Sequence, residues 1–75
     1  MKPKFNKYVE VSVNIKRMTT LAVLLNDGTL EEDQWVPKSL IIDDDGEPVE
    51  WERIDEGAVQ HLNIAEFKAK EIGLI

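Results

Sequence analysis

Along residues 8–16, YVEVSVNIK, apolar and polar side chains alternate without a break. Val9, Val11, Val13 and Ile15 fall on one side, and Tyr8, Glu10, Ser12 and Asn14 on the other. Period two carried by β-branched residues predicts a half-buried strand. TTLAVLLN at 19–26 is instead a near-continuous apolar run closed by Asp27-Gly28, a dipeptide that favours the positive-φ geometry of a tight hairpin turn. The return strand is expected either to include Thr29 and Leu30 or to resume at Gln34-Trp35-Val36, beyond the acidic patch Glu31, Glu32 and Asp33.

Pro37 has no amide hydrogen, so a strand running through it must be an edge or must bend there. It also holds Val36 extended. Leu40, Ile41 and Ile42 read as the next strand, and DDDGEP at 43–48 as a turn. VEWERI at 49–54 alternates again, with Val49 and Trp51 on one face, and is expected to pair back across that turn. Asp55, Glu56 and Gly57 break the pattern, and AVQHL at 58–62 reads as one more short strand.

The last segment has helical punctuation. Asn63 suits an N-cap, with Glu66 three residues on as in a capping box and Leu62 placed to staple against Phe67. Ile64, Phe67 and Ile72, with Ala69 beside them, make the apolar face of a helix of about ten residues, too short to persist undocked. Gly73 is placed to end it in a left-handed conformation, with Leu74 folding back. The expected fold is α+β: a small curled or partly closed antiparallel sheet of four or five strands, packed with one C-terminal helix. The 75 residues form a single domain, 1–75, without repeats or linkers.

Composition narrows the chemistry. Cysteine is absent, so neither disulfides nor thiolate metal sites can reinforce so small a core. Self-association, which would bury more apolar area, stays open. No run approaches the roughly 20 apolar residues of a membrane span, and MKPKFNKYVEV has no apolar signal core, so a cytoplasmic location is expected.

The net charge of −6 is unevenly spread. Residues 1–20 carry Lys2, Lys4, Lys7, Lys16 and Arg17 against Glu10, while residues 27–56 carry twelve acids against Lys38 and Arg53. This balance repels nucleic acid at long range. A bare acidic surface can also serve solubility alone.

Catalytic patterns are missing. His61 is the single histidine, Ser12 and Ser39 are the only serines, and neither serine lies in a G-x-S-x-G turn. No phosphate-cradling glycine loop occurs. No enzymatic activity and no cofactor are expected.

IIDDDGEPVEWE partly matches a calcium loop, but Ile41 would occupy the first ligand position and no long helices flank it. The bland reading of Asp43, Asp44, Asp45 and Glu47 is a solvated hairpin tip, and no metal site is assigned. Trp35 and Trp51, with Phe5 and Tyr8, raise the idea of a stacking platform for single strands. Acids surround both tryptophans in the sequence, which disfavours it, and core filling is the simpler role.

Two stretches together, LAVLLNDGTLEEDQWVPKSLI and NIAEFKAKEIGLI, resemble a set of small phage and prophage proteins with a W-[IV]-P-x-S segment and a short C-terminal helix ending in G-L. The resemblance covers about half the chain and involves Trp35, Pro37 and Ser39 in the first motif and Ile64, Phe67 and Gly73 in the second. Ala65 and Phe67 stand where such helices commonly show proline and tryptophan, and the acidic stretch 43–56 is longer than in the resembling proteins. Members of that set are mostly of unassigned role, so the resemblance implies a phage-type origin and a host-cell cytoplasm, with no activity attached.

Within that frame Trp35, Pro37 and Ser39 are expected to form a structural corner: Trp35 closing the core, Pro37 stopping the strand and the Ser39 hydroxyl capping a freed backbone group. The expected function is non-enzymatic binding of another protein, as an adaptor, inhibitor or host-takeover factor, in its sharpest form by nucleic-acid mimicry. The expected face is Asp43, Asp44, Asp45, Glu47, Glu50, Trp51 and Glu52. Two alternatives are a single-stranded nucleic-acid module using the basic N-terminal face, and an oligomeric accessory protein whose LAVLL strand pairs across a dimer axis.

Overall fold

A computed structural model describes residues 7–75; Lys2, Lys4 and Phe5 of the basic N-terminal segment lie outside them. The chain forms strands β1 (Tyr8–Met18), β2 (Ala22–Asn26), β3 (Gln34–Pro37), β4 (Ile41–Ile42) and β5 (Val59–Ala65), followed by helix α1 (Glu66–Ile72). All pairings are antiparallel, and the sheet order is β3-β2-β1-β5-β4.

The order makes β3 and β4 the two edges, yet only the three-residue 3-10 turn Lys38–Leu40 joins them. Four strand spacings in a flat sheet would separate those edges by about 19 Å, whereas three extended residues reach about 10 Å. The sheet therefore has to curl into a half-barrel. Its concave side holds Val13, Ile15, Val23, Leu25, Val36, Leu62 and Ile64, all essentially inaccessible, with Leu40 and Ile41 closing one side and Ala65 and Ala69 the base. This is the α+β architecture the pattern predicts, with the alternation of β1 sorted as expected. One irregularity in β1, where the register shifts between Ile15 and Arg17, sets Lys16 and Arg17 together opposite Leu24.

The β2–β3 connection is a seven-residue loop, 27–33, and is not a tight hairpin; the return strand resumes at Gln34. Gly28 does take the positive φ of 94°. The Asn26 side chain organises the loop: Oδ1 accepts from the N–H groups of Gly28 (2.8 Å) and Leu30 (3.3 Å), and Nδ2 donates to the Leu30 carbonyl (3.1 Å) and to Asp33 Oδ1 (3.0 Å). Asp27 Oδ1 accepts from the Thr29 hydroxyl (2.6 Å) and its N–H (2.9 Å), and those donors hold the Asp27 carboxyl below its ordinary pKa.

Residues 49–54 do not form a strand. Pro48 makes one isolated bridge to Ile42, and having no N–H it cannot extend a ladder along β4. The chain instead turns through the 3-10 segment Trp51–Arg53, from which Val49, Trp51 and Ile54 pack part-buried against the core. The short alternation from Val49 to Glu52 could not distinguish that arrangement from a strand.

The helix also differs from expectation. Asn63 and Ile64 belong to β5, opposite Glu10 and Val9, and α1 has seven residues with Ala65 at its N-cap and no side-chain cap. Ile64 is fully buried between Val9 and Ile41, and that burial outweighs the cap it would have flanked. Asn63 Nδ2 donates instead to the Asp43 carbonyl (3.1 Å), and the Glu66 N–H finds the Lys7 carbonyl (3.1 Å). Phe67 is 54% exposed and outside the core. The C-terminal reading stands: Gly73 has φ 88°, Leu74 N–H donates to the Ala69 carbonyl (2.9 Å), and Leu74 packs back on the core.

Trp35 does not close the core. It is 46% exposed on the convex side, and its neighbour Val36 is the buried residue. Nor does Ser39 cap the bend: it is exposed within Lys38–Leu40, a turn with no side-chain cap. Pro37 does sit on an edge. Lys38 N–H donates to the Leu21 carbonyl (2.8 Å), so Pro37, one residue earlier, occupies a position facing away from β2, where a missing N–H leaves no ladder bond unmade. β2 lies between β1 and β3 with both edges occupied, so LAVLL cannot pair with a second copy edge to edge. Among the described residues, no helix is long and apolar enough to cross a membrane.

Candidate functional site

The acidic turn after β4 is built around Asp43. Its Oδ1 accepts from the N–H groups of Asp45 and Glu47 (2.9 Å each), its N–H donates to the Glu47 carbonyl (2.8 Å), and its carbonyl accepts from Gly46 N–H (3.1 Å) as well as from Asn63 Nδ2. Gly46 supplies the required positive φ, 84°. One of the expected binding carboxylates is therefore a structural anchor, an Asx turn tied to β5. Asp44, Asp45 and Glu47 are held on the exposed side of that turn.

The next three expected residues follow in the 50–52 stretch. Glu50 pairs with Arg53 (3.0 Å), a contact at 62% and 80% side-chain exposure that contributes little to stability. Trp51 is half-buried, and Lys38 from the turn after β3 places its Nζ 5.4 Å from the ring centroid. A cation there is attracted by the ring's negative face, by about 0.5–1 kcal/mol at an exposed site. Glu52 is exposed.

Between turn and sheet lies a cleft of about 410 Å³. Pro48, Val49, Ile54 and Leu62 supply apolar lining, and Asp43, Glu47, Glu50, Arg53 and Gln60 the polar remainder. The structure thus brings Asp43, Glu47 and Glu50 to the rim of one apolar cleft, while Asp44, Asp45, Trp51 and Glu52 flank it without lining it. Sequence reasoning missed Ile54, Gln60 and Leu62, which arrive from the 3-10 turn's far end and from β5. It also missed Lys38, whose meeting with Trp51 depends on the curl of the sheet.

Among the described residues, no group of three or more His, Asp or Glu is placed to hold a metal ion. His61 stands exposed on the convex face directly across from Ser12, with no hydrogen bond joining the pair among the described residues. Comparisons with protein-family models, with curated proteins and with solved structures each returned no match.

Proposed function

We propose that the chain acts without catalysis, as a protein-binding module whose acidic turn and adjoining cleft receive a cationic segment of another protein. The observation that carries this reading is the cleft itself: apolar lining from Pro48, Val49, Ile54 and Leu62 beside the acidic turn whose backbone Asp43 organises. A partner side chain can bury apolar area on that lining while flanking lysines or arginines meet Glu47, Asp44 and Asp45. Burial then supplies affinity, and charge supplies steering and register. An apolar lining favours protein anchoring over pure phosphate mimicry, which needs only spaced anions. The missing catalytic patterns and the acidic 27–56 segment favour an adaptor or inhibitor role, and the resemblance to small phage proteins suggests only that the partner is a host protein.

The test is capture from a bacterial host lysate at low salt, with an Asp44→Lys/Asp45→Lys/Glu52→Lys variant alongside. Asp43 is left intact because its side chain builds the turn. A discrete basic protein held by the wild type, released by salt and lost by the equally stable variant supports the reading. Equal retention by both forms would return these acids to a solubility role.

A further inference from the structure

The convex face of the sheet carries a second surface, separate from the cleft. Cross-strand partners share a face, so the pairs Ala22–Pro37 and Leu24–Trp35 form a two-by-two apolar block on β2 and β3. Trp35 is 46% exposed, and Leu21 in the adjoining turn is 78% exposed. The irregularity in β1 sets two cations, Lys16 and Arg17, against the Leu24 flank of the block. The 27–33 loop sets Glu31, Glu32 and Asp33 beside its lower end, directly before β3. Elsewhere the strands are nearly free of acid: of the chain's fifteen carboxylate side chains, only Glu10 lies in a strand.

We propose that this face is the interface of a homodimer, the apolar block of one copy packing on that of the other, with Lys16 and Arg17 of each copy meeting Glu31 and Glu32 of its twin. An isologous interface must be self-complementary, since a contact of one residue with another occurs twice. An apolar centre with a basic flank and a neighbouring acidic flank meets that condition when the two sheets cross face to face. Edge pairing is disfavoured: β3 has four residues and ends in Pro37, and β4 is two residues long and bridged by Pro48. A 75-residue chain without disulfides also stands to gain much from burying this area. Single-stranded nucleic acid is the weaker occupant, because two cations beside three acids on a chain of net charge −6 release few counterions.

The experiment is sedimentation velocity over a range of micromolar concentrations on the full chain and three variants: Trp35→Glu, Lys16→Glu/Arg17→Glu and Glu31→Lys/Glu32→Lys. The wild type is expected to reach twice its 8.6 kDa chain mass with rising concentration. Trp35→Glu is expected to weaken association at least about tenfold, as for a central interface residue. Each charge-reversed pair is expected to be monomeric alone, and an equimolar mixture of the two to form a heterodimer, since both flanks then face opposite charge. That rescue distinguishes a broken interface from a misfolded chain. A wild type that stays monomeric throughout, or a dimer unmoved by these changes, overturns the proposal. A monomer that binds oligothymidylate in a Trp35-dependent manner overturns it too and assigns the face to nucleic acid.

Discussion

Trp35 and Val36 stand side by side on β3 and point to opposite sides of the sheet, Val36 fully buried and Trp35 half exposed. Size does not decide which of two neighbours enters the core; the parity fixed by pairing with Val23 and Leu24 does. Stability should follow burial and not side-chain size. Ile64→Ala, at the closed base of the barrel, is expected to cost about 2–5 kcal/mol through lost burial and the cavity left behind. Trp35→Ala is expected to cost less, about 1–2 kcal/mol in the monomer, because nearly half of the side chain is already solvated. Urea unfolding at low micromolar concentration compares the two; equal losses would put Trp35 back inside the core.

At the scale of elements, the turn after β4 shows how an acidic run divides its labour. Asp43 accepts from two backbone N–H groups and faces β5 through Asn63, while Asp44 is solvated. Removing the first carboxylate orphans two backbone donors, a loss comparable to an N-cap. Asp43→Ala should therefore cost about 1–2 kcal/mol, whereas Asp44→Ala should stay within about 0.5 kcal/mol. Amide exchange at Asp45 and Glu47 should quicken only in the first variant. Equal exchange in both variants would mean that the turn is held by its backbone alone.

For the whole molecule, the dominant electrostatic fact is repulsion. Residues 27–56 hold twelve of the fifteen acids against two cations. Among the described residues, the ion pairs Glu50–Arg53, Lys68–Glu71 and Glu66–Lys70 are local, three or four residues apart. Such pairs contribute little, so screening them costs little, while screening the acidic segment relieves a net destabilisation. Tm is expected to rise as ionic strength goes from low to physiological, where the Debye length is about 8 Å. A fall would mean that attractive contacts dominate the surface.

The sequence by itself determined what depends on short-range pattern: β1 from unbroken alternation, the edge position of Pro37, the turn at 43–48, the Gly73 helix stop and the α+β class. It could not place Asn63 and Ile64, because the same residues satisfy a capping box and a strand; Val9 and Ile41, distant in sequence, tipped the balance by enclosing Ile64. It misread 49–54 because the missing ladder partner is a property of β4 and Pro48 together. The proposed face on Asp43, Asp44, Asp45, Glu47, Glu50, Trp51 and Glu52 was legible as an acidic cluster around a tryptophan. The cleft beside it, the Lys38–Trp51 contact and the outward Trp35 were not. Each requires segments far apart in the chain to meet, and the tertiary structure decided that when a three-residue turn forced the two edges of the sheet together.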